Sequence, residues 1–584
     1  MPAPTARNPA LRDQYASAAL AEIPRLLGAV DRNPFRPTYG CLDREYWHYR
    51  TAGFPSGMHQ EGCLALALVY TRPLPGNRWH GEPRVRELAV AAIRFAARSS
   101  HADGSCDDYY PYERALGATV FSLLAAARTY QILELNDSEL IAWLRRRAGW
   151  VAAHDESGRL ANHQALAALG LLRVAQITAD PKFRDAADQR IRKVLEWQDE
   201  EGWFDEYGGA DPGYQTVTID CLAQYRRLTG MRELDEPLRR AVAFARLFLH
   251  PDGSFGGEYG SRGTYHFYPH GFELLAGDNP DAADLADGFL DALAVGEQAH
   301  FSDDRLYFHR LPSLIGAYID WSPLHAGEET GTGFEPTSRF LPRAGLLVRR
   351  SGPTCTIVSA ARGGVFKHFA PGASPVTDAG LVIETVGGRV AVSQMHDRTR
   401  RACEKMGTGS EPRSENSGET ASGEVPVPIF SPVDGSGERL SVSGPLHWAR
   451  SETATPLKQA VFHTAMVLVG RWCRTLVRRC LQRRLITGRR ECPIRLSRTF
   501  EFPSEQAAGP ACLRVTDVVE LLDPRVQVRR MSYGTDHQTV YVAASGVYQE
   551  SVLTPWTDLA EHVQRLNSDR RVTIVRELPT SSRR

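Results

Sequence analysis

The stretch HPDGSFGGEYG at residues 250–260 is the last of four similar turns in the first half of the chain. The earlier turns are HADGSCDDYY at 101–110, HDESGRLANH at 154–163 and DEEGWFDEYGG at 199–209. Their glycines, Gly104, Gly158, Gly202 and Gly253, follow one another at intervals of 54, 44 and 51 residues. A repeat of about fifty residues indicates stacked supersecondary units that pack on their neighbours.

Each turn is preceded by an amphipathic helical pattern and followed by a more apolar one. FRDAADQRIRKVLEWQ (183–198) has apolar residues at three- and four-residue steps, whereas NHQALAALGLLRVAQI (162–177) is apolar nearly all round. FPSGMHQEGCLALALVY (54–70) resembles an earlier inner helix of the same series. The pattern predicts a ring of helical hairpins with at least five inner helices by about residue 277. An open helical solenoid is the alternative.

Reactive side chains gather where the predicted inner helices begin. A helix start favours Ser, Thr, Asp or Asn, and any one of these residues has an ordinary structural interpretation as a cap or a packed ring. Because the turns fall at one end of the hairpins, we expect the side chains to converge on one rim, and this convergence predicts a functional site. The residues are His59, Glu61, Tyr110, Tyr112, Glu113, Asn162, His163, Tyr214, Gln215, Tyr265, His266, Tyr268 and His270.

Two of these starts resemble a known family. LANHQALAALG around Asn162 and DEYGGADPGYQTVTIDCL around Tyr214 are similar to paired motifs of the heparinase II/III-like and alginate-lyase-like polysaccharide lyases. In that family an Asn, often followed by His, begins one inner helix, and a Tyr in a PGY-like turn begins the next. The resemblance implies an α+β multidomain chain, with an incomplete N-terminal α/α-toroid (1–330) followed by a C-terminal antiparallel β-sandwich (331–584).

The second half fits the implied sandwich, because from about Ala344 short alternating segments replace the helical pattern. In the family a sandwich loop brings a His to the mouth of the toroid, ahead of a D-x-G-x-hydrophobic strand. FKHFAPGASPVTDAGLVIE offers His368 and Asp378 in that order, at a longer interval than the family pattern. The predicted strands are GLLVRR, CTIVSAA, GLVIETVGGRVAVS, IRLSRTFEF, LRVTDVVELL, VQVRRMSY and TVYVAAS.

The resemblance implies β-elimination on a uronic-acid glycan. The uronate carboxylate must be neutralised before the proton alpha to it can be removed. Asn162 and His163 are the implied donors to that carboxylate and Tyr214 is the implied base and acid, with His266 or His368 assisting Tyr214 or acting as the base in its place. The scheme predicts no metal and no cofactor.

An acidic polysaccharide or oligosaccharide is the expected partner, with no nucleic acid and no membrane span. Arginines near the repeat turns would pair with its carboxylate or sulfate groups. The predicted substrate-binding residues are His59, Glu61, Tyr112, Gln215, Tyr265, His270 and Arg262, with Arg44, Arg50 and Arg114 as further cations beside the turns.

Two other functions stay open. A toroid glycoside hydrolase would need two carboxylates beside the scissile bond, and the rim turns offer Asp107, Asp108, Asp205, Glu206 and Glu258. A binding protein for acidic glycans would use the same rim without turnover. Lys plus Arg and Asp plus Glu are 69 each, so the net charge does not decide between them.

Composition sets further expectations. The chain of 584 residues is 42% hydrophobic and 24% charged, as in an ordinary globular protein with two large domains. The polar start (1–12) has no signal-peptide core, which predicts a cytoplasmic location unless a leader was removed. Ten scattered cysteines predict free, mostly buried thiols.

Two segments stay outside this scheme. Residues 407–424 are rich in Gly, Ser, Glu and Thr, which predicts a mobile loop within the sandwich. The stretch from Arg471 to Arg490 carries eight arginines interleaved with apolar residues. It either binds a membrane surface or a polyanion, or it forms a basic strand pair or short helix on the sandwich surface.

Overall fold

The computed structural model describes residues 5–156, 158–296, 307–325, 336–394, 429–433, 437–449, 455–470, 490–503, 512–534 and 556–579, with isolated residues between 471 and 489. The helices of its first part are α1 (Pro9–Ala21), α2 (Ile23–Ala29), α3 (Arg44–Trp47), α4 (Gly62–Thr71), α5 (Pro83–Arg98), α6 (Leu116–Ile132), α7 (Ser138–Ala153), α8 (Ala161–Thr178), α9 (Pro181–Glu196), α10 (Pro212–Thr229), α11 (Asp235–Arg246), α12 (His270–Leu275), α13 (Pro280–Val295) and α14 (Tyr307–Ile319).

Six of these helices form the inner layer of a ring. Contacts run from α4 to α6, α8, α10, α12 and α14 in that order, and α14 contacts α4 in turn. The outer layer contains α1, α5, α7, α9, α11 and α13. The predicted toroid is confirmed, with one difference: the expected ring was incomplete, whereas α14 closes the inner layer in the structure.

The burial of the helices follows the sequence patterns. In α4 every residue from Gly62 to Val69 is buried, as expected of a helix enclosed on all sides. In α9 the buried apolar residues Phe183, Ala187 and Ile191 recur every four residues, beside an exposed charged face. Inner and outer helices are therefore distinguished by their apolar surface.

The turn glycines pack the start of each inner helix against a neighbouring outer helix. Gly104 and Gly202 have φ angles of +89° and +99°, in the left-handed region that favours glycine. A Cβ at these positions would lie 2.5 Å from Arg147 N in α7 and 2.3 Å from Arg240 O in α11. The sequence repeat therefore reflects a repeated packing requirement.

Two antiparallel sheets follow the ring, as predicted. The short strands β1 (Thr5–Ala6) and β2 (Leu324–His325) pair with each other at the ring. The sheet strands are β3 (Thr337–Leu341), β4 (Leu346–Ser351), β5 (Thr354–Ser359), β6 (Val365–Phe369), β7 (Val376–Asp378), β8 (Leu381–Thr385), β9 (Val390–Val392), β10 (Ile429–Val433), β11 (Gly437–Trp448), β12 (Glu491–Phe502), β13 (Cys512–Leu521), β14 (Val528–Gly534), β15 (Trp556–Asp558) and β16 (Arg571–Pro579). The five-stranded sheet has the order β3-β4-β5-β6-β7 and the larger sheet has the order β15-β14-β8-β9-β11-β12-β13-β16, with β10 paired to β11.

The five-stranded sheet lies between the ring and the larger sheet. Because side chains alternate along a strand, Val348 and Ile357 join the core of the ring, while Leu347 and Val358 pack against the larger sheet. Two further helices, α15 (Pro456–Ala465) and α16 (Ala560–Asp569), occur in the second part of the described chain. This placement positions the sandwich against one side of the ring.

Several predictions fall on residues that the structure does not describe. The proposed domain boundary at 330/331, the loop 407–424 and the segment TVYVAAS lie outside the described residues. The eight cysteines in the described chain are free thiols, six of them buried. No helix within the described residues is long and apolar enough to cross a membrane.

Candidate functional site

Three rim segments are joined by main-chain hydrogen bonds. The Ala161 N–H donates to Asp205 O (3.2 Å) and the Tyr207 N–H donates to Arg159 O (2.8 Å), which forms a short β-bridge. The Ser261 N–H donates to Ala210 O (2.8 Å). The start of α8, the turn before α10 and the turn before α12 therefore meet at one end of the ring.

Asn162 lies in the first turn of α8 with its side chain buried. Its backbone N–H donates to Glu206 Oε1 (2.9 Å). The side-chain atoms Nδ2 and Oδ1 are both buried and have no hydrogen-bond partner within the described residues. A buried amide without partners costs free energy in the folded state, which makes Asn162 a candidate ligand-binding residue.

Glu206 lies beside Asn162 and is 1% exposed. Its second carboxyl oxygen, Oε2, is buried and has no hydrogen-bond partner among the described residues. Burial raises the pKa of Glu206 well above its ordinary value, and the negative charge of Asp211 makes a smaller contribution in the same direction. Burial therefore favours the neutral, protonated form of Glu206, in which the carboxyl group can donate a hydrogen bond. The sequence predicts Glu206 only as one of five rim carboxylates for a glycoside hydrolase.

Asp211 organises Tyr214 and Arg262. Its carboxylate accepts hydrogen bonds from the Tyr214 N–H (2.9 Å), which caps α10, and from the Arg262 N–H (2.8 Å). Burial raises the pKa of Tyr214, and the positive charge of Arg262 opposes this shift. The Arg262 guanidinium lies 4.4 Å from the ring centroid of Tyr207. The base candidate is thus a partly buried phenol with a cation nearby.

His266 faces Tyr214 with ring centroids 5.3 Å apart, in an edge-to-face arrangement. Arg310 of α14 donates to His266 Nδ1, and burial holds the pKa of His266 well below its ordinary value. In the neutral tautomer that this contact requires, Nε2 carries the hydrogen. Because Nε2 has no hydrogen-bond partner among the described residues, His266 presents a donor, not a base.

A chain of aromatic contacts extends from this point around the inside of the ring. The ring centroids of His266 and Tyr268 are 6.2 Å apart, those of Tyr268 and His309 5.1 Å, and those of His309 and Phe121 4.8 Å. Phe121 in turn contacts His163 at 5.7 Å. One continuous series of ring contacts therefore connects the predicted residues Tyr214, His266 and His163.

His163 is oriented by a carboxylate. Its Nδ1 lies 3.0 Å from Glu156 Oε2, so in the neutral form Nδ1 carries the hydrogen and Nε2 is an acceptor. This differs from the expected role of His163 as a neutral donor beside Asn162, because the donating nitrogen is already bound to Glu156.

A cavity lies among five of the inner helices. Glu61 pairs there with His309 (Oε2 to Nδ1, 3.0 Å), and His270 Nε2 lies 2.8 Å from Asp320 Oδ2. Both predicted residues are therefore inside the ring and are held by partners. The cavity is lined by Glu61, Leu64, Phe121, Leu124, Ala125, Arg128, Asp220, Cys221, Gln224, His270, His309, Pro312 and Ser313.

The structure corrects the expectation for His368. This residue lies in β6, where Nδ1 is 2.9 Å from Thr356 Oγ1 and Nε2 is 2.7 Å from Pro579 O. Both ring nitrogens are bonded within the sandwich, so His368 does not reach the toroid. Because strand side chains alternate, the adjacent Lys367 points to the ring instead, with its Nζ 3.6 Å from Glu258 Oε2.

Gln215 and Tyr265 also have structural roles. The Gln215 amide donates to Gly202 O and Ala241 O (both 3.1 Å) and accepts from the Phe204 N–H (3.0 Å), so it holds the turn before α10. Tyr265 donates to Glu258 and lies under Lys367, on the side of the sandwich. Both were expected to bind substrate.

The two remaining predicted binding residues lie at the edge of the rim. Tyr112 has a φ of +59° and stacks on His101 with ring centroids 5.8 Å apart. His59 lies 3.4 Å from Asp43 Oδ1. Among the residues that the structure describes, no group of three or more His, Cys, Asp and Glu side chains could hold a metal ion.

Comparison with known proteins gives similarities of structure. No family model and no curated protein matches the sequence. A chondroitin AC lyase of Streptomyces coelicolor A3, solved in complex with chondroitin sulphate, is 13% identical over 90% of this chain and 71% of that chain, with a TM-score of 0.48. Heparinase III is 10% identical over 72% of this chain and 57% of that chain, with a TM-score of 0.38.

Glycoside hydrolases are also among the structural neighbours. An unsaturated glucuronyl hydrolase specific for heparin is 10% identical over 53% of this chain and 98% of that chain, with a TM-score of 0.36. These similarities concern the fold, at low sequence identity. Chondroitin AC lyase and heparinase III, which are polysaccharide lyases of the α/α-toroid family, are thus structural neighbours of this chain.

Proposed function

We propose that this chain is a polysaccharide lyase that cleaves a uronic-acid-containing glycan by β-elimination at the rim site. The observation that carries the proposal is the Asn162 amide, whose two polar atoms are buried without a partner in the described chain. The unpartnered Glu206 Oε2 and His266 Nε2 belong to the same joined rim segments. A uronate glycan, whose carboxylate oxygens accept and whose hydroxyl groups donate hydrogen bonds, would satisfy such a group of atoms.

In this mechanism Asn162 and Glu206 neutralise the uronate carboxylate. The Asn162 Nδ2 group donates a hydrogen bond, and the protonated Glu206 carboxyl donates a second. As the proton alpha to the carboxylate leaves, negative charge builds on the carboxylate oxygens, and preorganised donors stabilise that charge in a site shielded from water. Glu206 serves this purpose because burial raises its pKa and so favours its neutral form.

Tyr214 is the base and then the acid. Its phenolate would take the alpha proton, the bond to the glycosidic oxygen would break as the C=C bond forms, and the phenol would return the proton to the leaving oxygen. Burial opposes ionisation of Tyr214, while Arg262 favours it, and the Nε2–H of His266 is a suitable donor to the phenolate. His163, whose Nε2 is an acceptor when neutral, is the competing base.

A glycoside hydrolase is the second candidate, because the protonated Glu206 could also act as a general acid. That mechanism needs an ionised second carboxylate free to act. The Asp107 carboxylate accepts from the N–H groups of Tyr112 and Arg114, and Asp205 accepts from the Gly208 N–H. Because these carboxylates stabilise their own turns, elimination is the better-supported reaction.

An ultraviolet assay over a panel of uronate glycans tests the proposal, since elimination creates an absorbing C=C bond. Tyr214→Phe should lower turnover by roughly 10²–10⁴-fold, the usual contribution of a general base. Tyr225→Phe is the matched control, because Tyr225 lies in the same helix and donates to Asp188. Full turnover in Tyr214→Phe, or loss only in His163→Gln, would contradict the role assigned to Tyr214.

A further inference from the structure

Two arginines lie side by side near the far ends of two neighbouring inner helices. Helices α6 and α8 both begin at the rim and contact each other, and their last turns are joined by a hydrogen bond from Gln131 Nε2 to Gln176 Oε1 (3.2 Å). Arg128 and Arg173 each precede one of these glutamines by three residues. Because residues three apart share a helix face, the two arginines are neighbours one turn closer to the rim.

Neither arginine is paired with a carboxylate in the part of the chain that the structure describes. The Nε of Arg173 is buried there without a hydrogen-bond partner, and its Nη1 reaches only Gln176 Oε1, at 3.5 Å. Arg128 lines the cavity among the inner helices and has no ion pair with a described residue within 4.0 Å. Burial, and next the charge of Arg128, lowers the pKa of Arg173 to about 10. The two positive charges therefore repel each other in a half-buried place.

The negative charges that act on Arg128 belong to residues with other partners. Burial lowers the pKa of Arg128, and the charges of Asp220 and Asp320 oppose this shift only in part. Asp220 accepts a hydrogen bond from Gln224 Nε2 (2.8 Å). Asp320 pairs with Arg227 at 2.6 Å. An excess of positive charge therefore remains at the end of the ring opposite the candidate site.

We infer that Arg128 and Arg173 together bind a tetrahedral oxyanion such as sulfate, either as a free ion or as an ester group of a larger ligand. Two guanidinium groups offer a fork of N–H donors that matches the oxygens of such an anion. Asn162 lies eleven residues before Arg173 in α8, which is about 16 Å along the helix. The oxyanion site is therefore separate from the site proposed for elimination.

The alternative is that the arginines only stabilise the ends of α6 and α8. A helix C-terminus favours a cation within its last turn, and in that case both arginines would stabilise the fold without any anion. The two interpretations differ in the effect of removing the charges. An oxyanion site without its ligand gains stability when the repelling charges are removed, whereas a helix end loses stability.

Thermal unfolding of the full-length protein in sodium sulfate and in sodium chloride of equal ionic strength tests the inference. Sulfate stabilises proteins in general, so the measured quantity is the difference between the wild type and the double variant Arg128→Gln, Arg173→Gln. The rise in unfolding temperature from chloride to sulfate should be at least about 2 °C larger in the wild type, because a ligand of the folded state stabilises it. In chloride the double variant should be at least as stable as the wild type.

The matched control is Arg529→Gln, because Arg529 belongs to β14 in the larger sheet and its side chain is 66% exposed. This variant should respond to sulfate like the wild type. Each single variant, Arg128→Gln or Arg173→Gln, keeps one guanidinium group and should show an intermediate response, so the test does not depend on the double variant alone. Circular dichroism checks that every variant is folded.

Chondroitin sulfate and unsulfated chondroitin distinguish the two sources of the oxyanion. A larger stabilisation by the sulfated glycan that is lost in the double variant would assign the site to a sulfate ester, and a response to the free ion alone would assign it to inorganic sulfate. If the wild type and the double variant responded equally both to free sulfate and to chondroitin sulfate, the inference would be overturned.

Discussion

Replacement of Asn162 by leucine should stabilise the protein and strongly lower its activity. The side-chain amide is buried without partners in the described chain, and a buried unsatisfied polar group costs about 1–3 kcal/mol. Leucine has a similar size and no polar atom, and it suits the interior of α8. We therefore expect the free energy of unfolding to rise by about 1–3 kcal/mol, while elimination slows by roughly 10²-fold or more.

Gln215→Leu is the matched control for this change. Gln215 is a buried amide at the start of the neighbouring inner helix, and its three hydrogen bonds are made within the protein. Its replacement leaves buried backbone groups without partners, so we expect a loss of at least about 2 kcal/mol. The two substitutions remove the same chemical group and should change stability in opposite directions.

Urea denaturation followed by fluorescence measures both variants, with turnover measured on the same samples. The sign of the stability change at Asn162 distinguishes a ligand-binding amide from a structural one. If Asn162→Leu destabilised the protein as much as Gln215→Leu does, the amide would be a structural group and the site assignment would be refuted.

Three further predictions concern other parts of the molecule. Because burial raises the pKa of Glu206, the folded state holds a proton that the unfolded state releases, and the free energy of unfolding falls as pH rises above about 4.3. Glu206→Gln removes this pH dependence. In urea denaturation the stability of Glu206→Gln relative to the wild type should therefore increase by up to about 1.4 kcal/mol per pH unit. His368→Ala should lower the free energy of unfolding by about 2–4 kcal/mol and leave the turnover of the folded fraction unchanged. A loss of turnover without a loss of stability would instead show that His368 belongs to the active site. Asp517→Asn should cost about 3–5 kcal/mol in thermal unfolding, because it breaks the buried bidentate pair with Arg498 (2.6 and 2.8 Å); a loss below about 1 kcal/mol would contradict this.

The ring and its rim were predictable because they recur in the sequence. The turn glycines Gly104 and Gly202 meet the same packing requirement, and the apolar character of α4 and α8 separates inner from outer helices. The convergence of Asn162 and Tyr214 follows from their spacing of one repeat. Local periodicity in the sequence is sufficient to predict features that depend on a single helical hairpin.

The closing helix α14 was not predicted. It contains Pro312 in its interior, a residue that usually ends or kinks a helix. Its partners α4 and α1 lie far away in sequence, and such long-range packing leaves no local pattern. The contact of Arg310 with His266, which sets the tautomer of that histidine, was missed for the same reason.

The sequence also does not predict the direction in which individual side chains point. His368 and Lys367 are adjacent, and only the register of β6 decides which of them faces the ring. Likewise Gln215 and Asn162 are both amides at helix starts, but only the surrounding backbone shows that one is fully bonded and the other has no partner in the described chain. These distinctions require atomic positions.

The most direct test of the proposed elimination is the mass of the cleaved product. Hydrolysis adds the elements of one water molecule at each cleaved bond, whereas elimination adds none and forms a C=C bond instead. We predict unsaturated oligosaccharides, each lighter than the corresponding hydrolysis product by one water molecule. Saturated products that contain the added water would contradict β-elimination and assign the rim site to a hydrolase.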